Sequence, residues 1–338
     1  MRMSKTGRLG FGRRTCLSIP LVAAVCAASR RATAQTPSLR LGILQFGTVQ
    51  WIADVIHRHH LDTAHGLAMT TSKVANTDAG RVALMAGADD VIVSDWMFAA
   101  AQRAAGTKLC FAPFSNALGG IMVRLDAPIH TFADLKGRAL GVAGGPVDKS
   151  WLVVQAAARQ TAGIDLATAA RIVYGAPPLL DAKLQQGELD AVLTFWNFAA
   201  RLEAAGCREA ISVADCAEKL GLPPQLSLVG FVFRQNWAEQ NRPTIDGFLD
   251  AVDQAEHLLA TSDAEWQQIR PLMDAPDNAL FASLRRRFIA GIAELSARSQ
   301  QATAERVFAI LYKTGGTRAT AGLSALPDGI FWRRADAG

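Results

Sequence analysis

The sequence contains an internal repeat. Residues 84–106 align without a gap with residues 184–206. The identical pairs are Leu84 and Leu184, Gly87 and Gly187, Asp90 and Asp190, Trp96 and Trp196, Phe98 and Phe198, Ala99-Ala100 and Ala199-Ala200, and Ala104-Ala105-Gly106 and Ala204-Ala205-Gly206. So many identities in a short window predict two copies of one structural unit, in which a strand ends just before a tryptophan that begins a helix.

Hydrophobic periodicity extends this unit along the chain, because apolar runs predict strands and apolar residues at a helical spacing predict helices. The predicted strands are 39–46, 67–74 and 90–93, and the helices between and after them are 49–60, 77–85 and 96–105. This alternation predicts an α/β chain of two lobes, each a mainly parallel sheet flanked by helices. Residues 120–124 and 230–234 are each a glycine, three apolar residues and an arginine, and we expect them to be two crossing strands that join the lobes.

The first 34 residues have the composition of an export signal. Basic residues precede an apolar run over 16–28, and Ala32-Thr33-Ala34 provides a small-residue cleavage site. The apolar run is too short for a stable membrane-spanning helix. We therefore expect a signal peptide that is cleaved near Ala34, by either the general or the twin-arginine export route.

Removal of this leader changes the charge of the chain. Seven of the 35 Lys and Arg residues lie in the first 34 positions, which leaves 28 against 30 Asp and Glu, a net charge near −2. A mature chain without basic excess gives no reason to expect nucleic acid or an anionic membrane surface as partner.

Three cysteines remain after the leader: Cys110, Cys207 and Cys216. A Cys207–Cys216 disulfide would close a short loop and leave Cys110 in an apolar strand. Their spacing indicates neither catalysis nor metal binding, so structural thiols are favoured.

The glycine-containing loop over 141–150 follows an apolar strand and opens onto a predicted helix. Unpaired N–H groups at a helix N-terminus can hold an anion. The spacing of Lys149 and Ser150 after Gly145 does not fit the phosphate loop, which makes a nucleotide unfavourable. An ordinary strand-to-helix turn is the alternative.

Several motifs resemble one family, the type II periplasmic solute-binding proteins of ABC importers, in the branch that binds nitrate, sulfonates, taurine and thiamine precursors. They are Leu41-Gly42-Ile43, the segment 131–138 (TFADLKGR) followed by Leu140-Gly141-Val142, the segment 187–191 (GELDA), and the ending 326–332 (LPDGIFW). The resemblance implies a monomeric two-lobed clamp in the periplasm that closes on a small solute and works with a membrane permease and its ATPase, without a cofactor. It places lobe I at 38–122 and 229–338, and lobe II at 123–228.

In such a fold the ligand lies at the carboxyl ends of the strands. The candidate ligand-binding residues at these ends are Gln45, Phe46, Trp51, Ser94, Asp95, Trp96, Asn116, Gly145, Asp148, Tyr174, Trp196 and Asn197. Aromatic walls with a few polar groups suit a small organic molecule that is partly flat or alkyl.

Asp95 decides the expected charge of that molecule. A carboxylate without a partner would repel an anion, so a cationic, amine-bearing or hydroxyl-rich ligand is favoured unless Arg124, Lys149 or another cation pairs with Asp95. The alternative is that Asp95 caps the helix that starts at Trp96.

His57 and His60 stand three apart near Asp54 and could share a metal ion. Arg58 lies among them at a helix C-terminus, and a solvated basic helix end is the favoured interpretation.

Two functions from different classes remain. The first is a transport receptor without chemistry. The second is an enzyme, because the same fold resembles fungal thiamine-pyrimidine synthases, but their cysteine-rich HCCCFC-type segment is missing here. We expect a transport receptor, with a periplasmic ligand sensor as a further alternative.

Overall fold

The computed structural model describes residues 36–45, 47–223, 226–293 and 297–335. The expected signal peptide and Phe46 lie outside the described residues. The described chain contains two five-stranded sheets.

The first sheet combines strands from both ends of the described chain. Its members are β1 (Ser38–Leu44), β2 (Ala68–Val74), β3 (Val91–Asp95), β4 (Leu109–Ser115) and β10 (Val229–Arg234). Their order is β2-β1-β3-β10-β4, and β10 is antiparallel to both of its neighbours.

The second sheet has the same plan. Its members are β5 (Gly120–Arg124), β6 (Ala139–Ala143), β7 (Arg171–Gly175), β8 (Ala191–Thr194) and β9 (Cys207–Ser212). Their order is β7-β6-β8-β5-β9, again with one antiparallel strand, β5, inserted next to last. The prediction of two mainly parallel sheets is confirmed.

Helices flank both sheets. In chain order they are α1 (Val49–Arg58), α2 (Leu61–Ala64), α3 (Thr77–Ala86), α4 (Trp96–Ala104), α5 (Lys149–Ala162), α6 (Leu166–Ala169), α7 (Pro177–Gln185), α8 (Trp196–Ala204), α9 (Val213–Lys219), α10 (Gln235–Gln240), α11 (Arg242–Thr261), α12 (Asp263–Ile269), α13 (Asn278–Ala290) and α14 (Ala297–Ala319). Short 3₁₀ turns cover Ala133–Leu135 and Arg270–Met273.

The repeat is visible in matched hydrogen bonds. Asp90 accepts the backbone N–H of Arg40 at 3.0 Å, and Asp190 accepts that of Ala139 at 2.8 Å. Likewise, Nη1 of Arg234 donates to the carbonyl of Leu84 at 3.0 Å, and Nη1 of Arg124 donates to the carbonyl of Leu184 at 3.0 Å. Both copies therefore use the same side chains to fix the turn before the third strand.

The chain changes sheets next to the two segments expected to be crossing strands. Each segment is the antiparallel strand of its own sheet, and the connections are residues 116–119 and 213–228. Because β5 lies wholly in the second sheet, the expected lobe boundary at residue 122 falls inside a strand. Helix α14 packs against α5, so the C-terminal part of the chain also contacts a helix that flanks the second sheet.

A buried polar chain ties these connections together. Oδ1 of Asn116 accepts a hydrogen bond from Ser227, whose hydroxyl accepts one from Nε2 of Gln300 at 3.2 Å. The backbone N–H of Asn116 donates to the carbonyl of Gly291 at 2.7 Å. Buried polar groups need such partners, and these partners come from separate segments that run between the two sheets.

Cys110, Cys207 and Cys216 are all free thiols, so the Cys207–Cys216 disulfide is not formed. Cys216 is buried in α9, and burial raises the pKa of its thiol to about 12. The interpretation of structural thiols stands without the bridge.

The histidine cluster is engaged in protein contacts. Nε2 of His59 lies 2.9 Å from Oε1 of Glu265, and Arg58 pairs with Asp54 and Glu265. Within the described residues there is no group of metal-ligating side chains suited to an ion. In the same part of the chain, every helix is too short or too polar for a membrane span.

Candidate functional site

The carboxyl ends of the parallel strands bring the candidate residues together. Lys149, the first residue of α5 after β6, forms an ion pair with Asp95, the last residue of β3, with Nζ 3.0 Å from Oδ2. Because β3 and β6 belong to different sheets, this pair shows that the two carboxyl edges meet.

Asp95 also binds two groups on its own side. Nη2 of Arg81 lies 2.8 Å from Oδ2, and Oδ1 accepts the N–H of Phe98 at 2.8 Å, so Asp95 is the N-cap of α4. Burial opposes ionisation of Asp95, but Lys149, Arg81 and the Phe98 N–H outweigh it and lower its pKa. The alternative that Asp95 caps α4 is confirmed. Because Arg81 and Lys149 pair with Asp95, its carboxylate no longer favours a cationic ligand.

Removal of this carboxylate leaves two cations without their partner. We expect Asp95→Asn to destabilise the protein by about 2 kcal/mol at pH 7, less than for a fully buried pair because Arg81 and Lys149 are partly exposed. Since the folded pKa lies below the unfolded value of 3.8, this contribution is present above pH 4 and is lost as the pH falls through the folded pKa. Urea unfolding at pH 7 and pH 3 measures both effects, and a variant as stable as the wild type at pH 7 would contradict the assignment.

The glycine loop before α5 contains the residue that caps this helix. Gly144 and Gly145 adopt φ values of 82° and 89°, and Asp148 accepts the N–H of Trp151 at 3.1 Å. A Cβ on Gly144 would lie 2.6 Å from the Asp148 carboxylate. The glycines therefore make room for Asp148 to cap α5, which occupies the N-terminus that the sequence offered as an anion site. Burial raises the pKa of Asp148.

The tryptophans do not line an open surface. Trp96 is fully buried, with 0% exposure, in a core cluster that contains residues of both sheets. Trp51 is 2% exposed, and its ring centroid lies 6.0 Å from that of Trp266 and 6.2 Å from that of Trp196. Trp51 and Trp196 thus pack against each other between the two units, where they stabilise the contact of the two carboxyl edges.

The other candidates are distributed as follows. Gln45 is exposed at the end of β1, Ser94 is buried with its hydroxyl 3.2 Å from Nε of Arg81, and Asn197 is half-buried at the start of α8. Asn116 belongs to the buried polar chain between the sheets, and Gly145 belongs to the cap of α5.

A set of exposed apolar side chains lies at the carboxyl edge of the second sheet. Its members, called here the apolar wall, are Val147, Tyr174, Leu179 and Phe195. Tyr174 lies near the end of β7, and the others follow the adjacent strands β6, β7 and β8. Val229, also exposed, pairs with Asp95 at the edge of the first sheet. Exposed large apolar groups gathered in one place mark a binding surface.

Sequence reasoning placed Tyr174 among the ligand-binding residues but left out Val147, Leu179, Val229 and Arg81. Arg81 had no signal, because its role depends on the packing of α3 beside β3. Val147 could have been found from its position in the loop just after β6, where a large apolar residue is unusual. Leu179 lies in the first turn of α7, and its exposure depends on how that helix packs.

A cavity of about 360 Å³ lies beside Cys110, Arg242 and Trp332. The Arg242 guanidinium in its wall is engaged within the protein: it stacks on Trp332 at 4.4 Å and donates to the carbonyl of Arg333 at 3.1 Å.

The family model described as NMT1/THI5 like matches residues 63–264, which is more than half of the chain. The chain belongs to the NMT1/THI5-like family. The expected relationship to solute-binding proteins is thereby supported at the level of the family.

Solved structures agree with this membership. The alkanesulfonate-binding protein SsuA from Xanthomonas axonopodis pv. citri, bound to MOPS, superposes with a TM-score of 0.68 at 19% identity over 89% of this chain and 99% of that one. The periplasmic aliphatic sulphonate-binding protein SsuA from Escherichia coli gives 0.64 at 21% identity over 83% and 94%. The periplasmic nitrate-binding protein NrtA from Synechocystis PCC 6803 gives 0.58 at 13% identity over 85% of each chain.

At these identities the structures show a shared fold, the periplasmic binding protein fold, which confirms the predicted fold class. These neighbours are binding proteins associated with transport rather than enzymes. None of the curated protein sequences compared with this NMT1/THI5-like chain matches it.

Proposed function

We propose that this NMT1/THI5-like protein is the periplasmic solute-binding component of an ABC importer, which captures a small organic solute between its two sheets and delivers it to a membrane permease and ATPase. In this proposal residues 1–34 are an export signal cleaved near Ala34, and the mature protein acts as a monomer. Lobe I is built on the first sheet and lobe II on the second, with the boundary moved from residue 122 to the connection at 116–119.

The observation that carries the proposal is the composition of the confronting edges. The apolar wall supplies one surface, and Arg81 and Lys149 supply two cations around the buried carboxylate of Asp95, with Arg81 also paired to the exposed Asp78. The carboxylate of Asp148 accepts a backbone N–H of α5, and burial raises its pKa, so Arg81 and Lys149 are the groups at this edge that can attract an anion. A solute with an apolar body and an acidic head fits this surface, and the sulfonates bound by the structural neighbours have that chemistry.

Matched probes test this assignment. Pentanesulfonate and pentylamine share one alkyl chain and differ in the sign of the head group. We expect pentanesulfonate to raise the unfolding temperature of the mature protein, with a stabilisation of about 2.7 kcal/mol at a ligand concentration 100 times Kd, and pentylamine to leave it unchanged. Binding of pentylamine alone would show that the site prefers a cationic ligand. Chemical turnover of a bound solute would show that the protein is an enzyme rather than a receptor.

A further inference from the structure

Two buried polar atoms on the elements that carry the apolar wall lack hydrogen-bond partners. Asp181, on α7, is 7% exposed and Thr194, at the end of β8, is 2% exposed. Among the described residues neither Oδ1 of Asp181 nor Oγ1 of Thr194 has a partner of acceptable geometry. A buried acceptor without a partner costs about 1–3 kcal/mol, and more when it carries charge. This site therefore does not accommodate a carboxylate well.

The position of the two residues links them to the proposed solute site. Leu179 precedes Asp181 by two residues on α7, and Phe195 follows Thr194 directly. Both Leu179 and Phe195 are exposed members of the apolar wall. Leu179 and Asp181 are about half a turn apart on one helix, and Thr194 and Phe195 are joined by one peptide bond, so a change in how Asp181 packs moves the elements that carry the wall.

Few charged groups surround Asp181. From α8, Arg201 attracts its carboxylate, and Thr194 of β8 can donate to it. The Cys207 thiol of β9 interacts electrostatically with both Asp181 and Arg124 of β5. The Arg124 guanidinium donates to the carbonyls of Leu184 and Leu189. On α7 itself Lys183 pairs with Glu188. Strand β6, Ala139–Ala143, has no titratable side chain.

Arg201 connects this cluster with the other half of the molecule. Its Nη2 donates to the carbonyl of Met273 at 2.9 Å, and its Nη1 donates to that of Asp274 at 3.0 Å. Both carbonyls lie at the end of the 3₁₀ turn that follows α12. The Arg201 guanidinium, which would balance an ionised Asp181, therefore also connects α8 with the 3₁₀ turn after α12.

We propose that Asp181 is a positioning residue that couples protonation to solute binding. Its neutral carboxyl holds α7 and the apolar wall in the arrangement of this structure, and its carboxylate draws Arg201 away from Met273 and Asp274. The proposal rests on the proposed function, because the wall is taken as part of the solute site. Burial raises the pKa of Asp181 to about 7, because it outweighs Thr194 and Arg201, which lower the pKa. The change of state thus falls in the range that an exported protein meets.

The direction in which solute affinity changes with pH follows from the linkage of protonation and binding. Because solute binding completes the wall over Asp181, the bound state favours the neutral carboxyl, so affinity falls as the pH rises through 7. We expect Kd for pentanesulfonate to be on the order of 10-fold higher at pH 8.5 than at pH 5.5, within the range that couplings between sites reach. Asp181→Asn, an uncharged group of the same shape, should bind with the same Kd at both values.

Calorimetric titrations with pentanesulfonate over this pH range test the proposal. Glu256→Gln is the matched control, because Glu256 is also 7% exposed and burial, with Asp253, raises its pKa to about 8, but it lies on α11, away from the wall. This variant should keep the pH dependence of the wild type. A pH-independent wild type, an unchanged pH dependence in Asp181→Asn, or its loss in Glu256→Gln would each overturn the proposal.

A measurement without ligand separates this proposal from the proposed function. Amide protection factors of α7 and α8 should fall between pH 6 and pH 8 in the wild type and stay constant in Asp181→Asn. Thr194→Val removes the hydroxyl that lowers the pKa, so the midpoint of this change should move to higher pH. Failure of pentanesulfonate to bind while these profiles hold would refute the acidic-solute assignment alone. Flat wild-type profiles would refute the role of Asp181.

Discussion

Replacement of Arg287 by methionine is expected to destabilise the folded protein by about 3–5 kcal/mol, because it removes the cation shared by two partly buried carboxylates. Nη2 of Arg287 lies 2.5 Å from Oε1 of Glu203 and 2.5 Å from Oε2 of Glu209. The arginine belongs to α13, whereas Glu203 belongs to α8 and Glu209 to β9, so this cluster ties the two units together. Urea unfolding at pH 7 measures the loss.

The neighbouring arginine provides the control. The side chain of Arg286 is 63% exposed, against 15% for Arg287, although it also contacts Glu203. An exposed ion pair contributes at most about 1 kcal/mol, so Arg286→Met should have a small effect. Equal effects of the two substitutions would show that burial of the cluster does not matter and would contradict the structure.

Gly119→Ala is expected to destabilise the protein by about 3 kcal/mol or more, since the new methyl group has no room. A Cβ built on Gly119 would lie 1.7 Å from the backbone oxygen of Thr194, and a backbone atom cannot move aside as a flexible side chain can. Residues 116–119 connect the two sheets, so the strain falls on the contact between this connection and the end of β8. Thermal unfolding of the variant measures the effect.

The same substitution at Gly80 should act in the opposite direction. Gly80 lies within α3, and its nearest neighbour would be Cγ2 of Val74 at 3.5 Å, an ordinary contact. Alanine favours a helix over glycine by up to about 1 kcal/mol, so Gly80→Ala should be neutral or stabilising. A Gly119→Ala protein as stable as this control would contradict the close approach of the connection to β8.

The repeated unit could be predicted because its signals are local. The strand, the tryptophan and the closing glycine recur at fixed spacing, and the structure places Gly87 and Gly187 in the same left-handed conformation at the end of their helices. Matching local sequence produces matching topology, down to the hydrogen bonds of Asp90 and Asp190.

The site could be predicted only in part, because its contacts join distant segments. Asp95 was identified with its two alternative roles, but its pairing with Arg81 and Lys149 depends on how α3 and the second sheet pack. Trp51 was expected to face a ligand, and its burial against Trp266 results from helices that no local pattern connects with α1. The exposure of Phe195 likewise follows from the tertiary fold, not from its sequence.

The proposed solute site lies where the carboxyl edges of the two sheets meet. A crystal structure of the mature protein grown with pentanesulfonate tests this placement. We expect the alkyl chain to lie against Tyr174 and Phe195 and the sulfonate to lie beside Arg81 and Lys149. A sulfonate bound away from both edges, or edges that remain fully packed together in a protein that binds the ligand in solution, would contradict it.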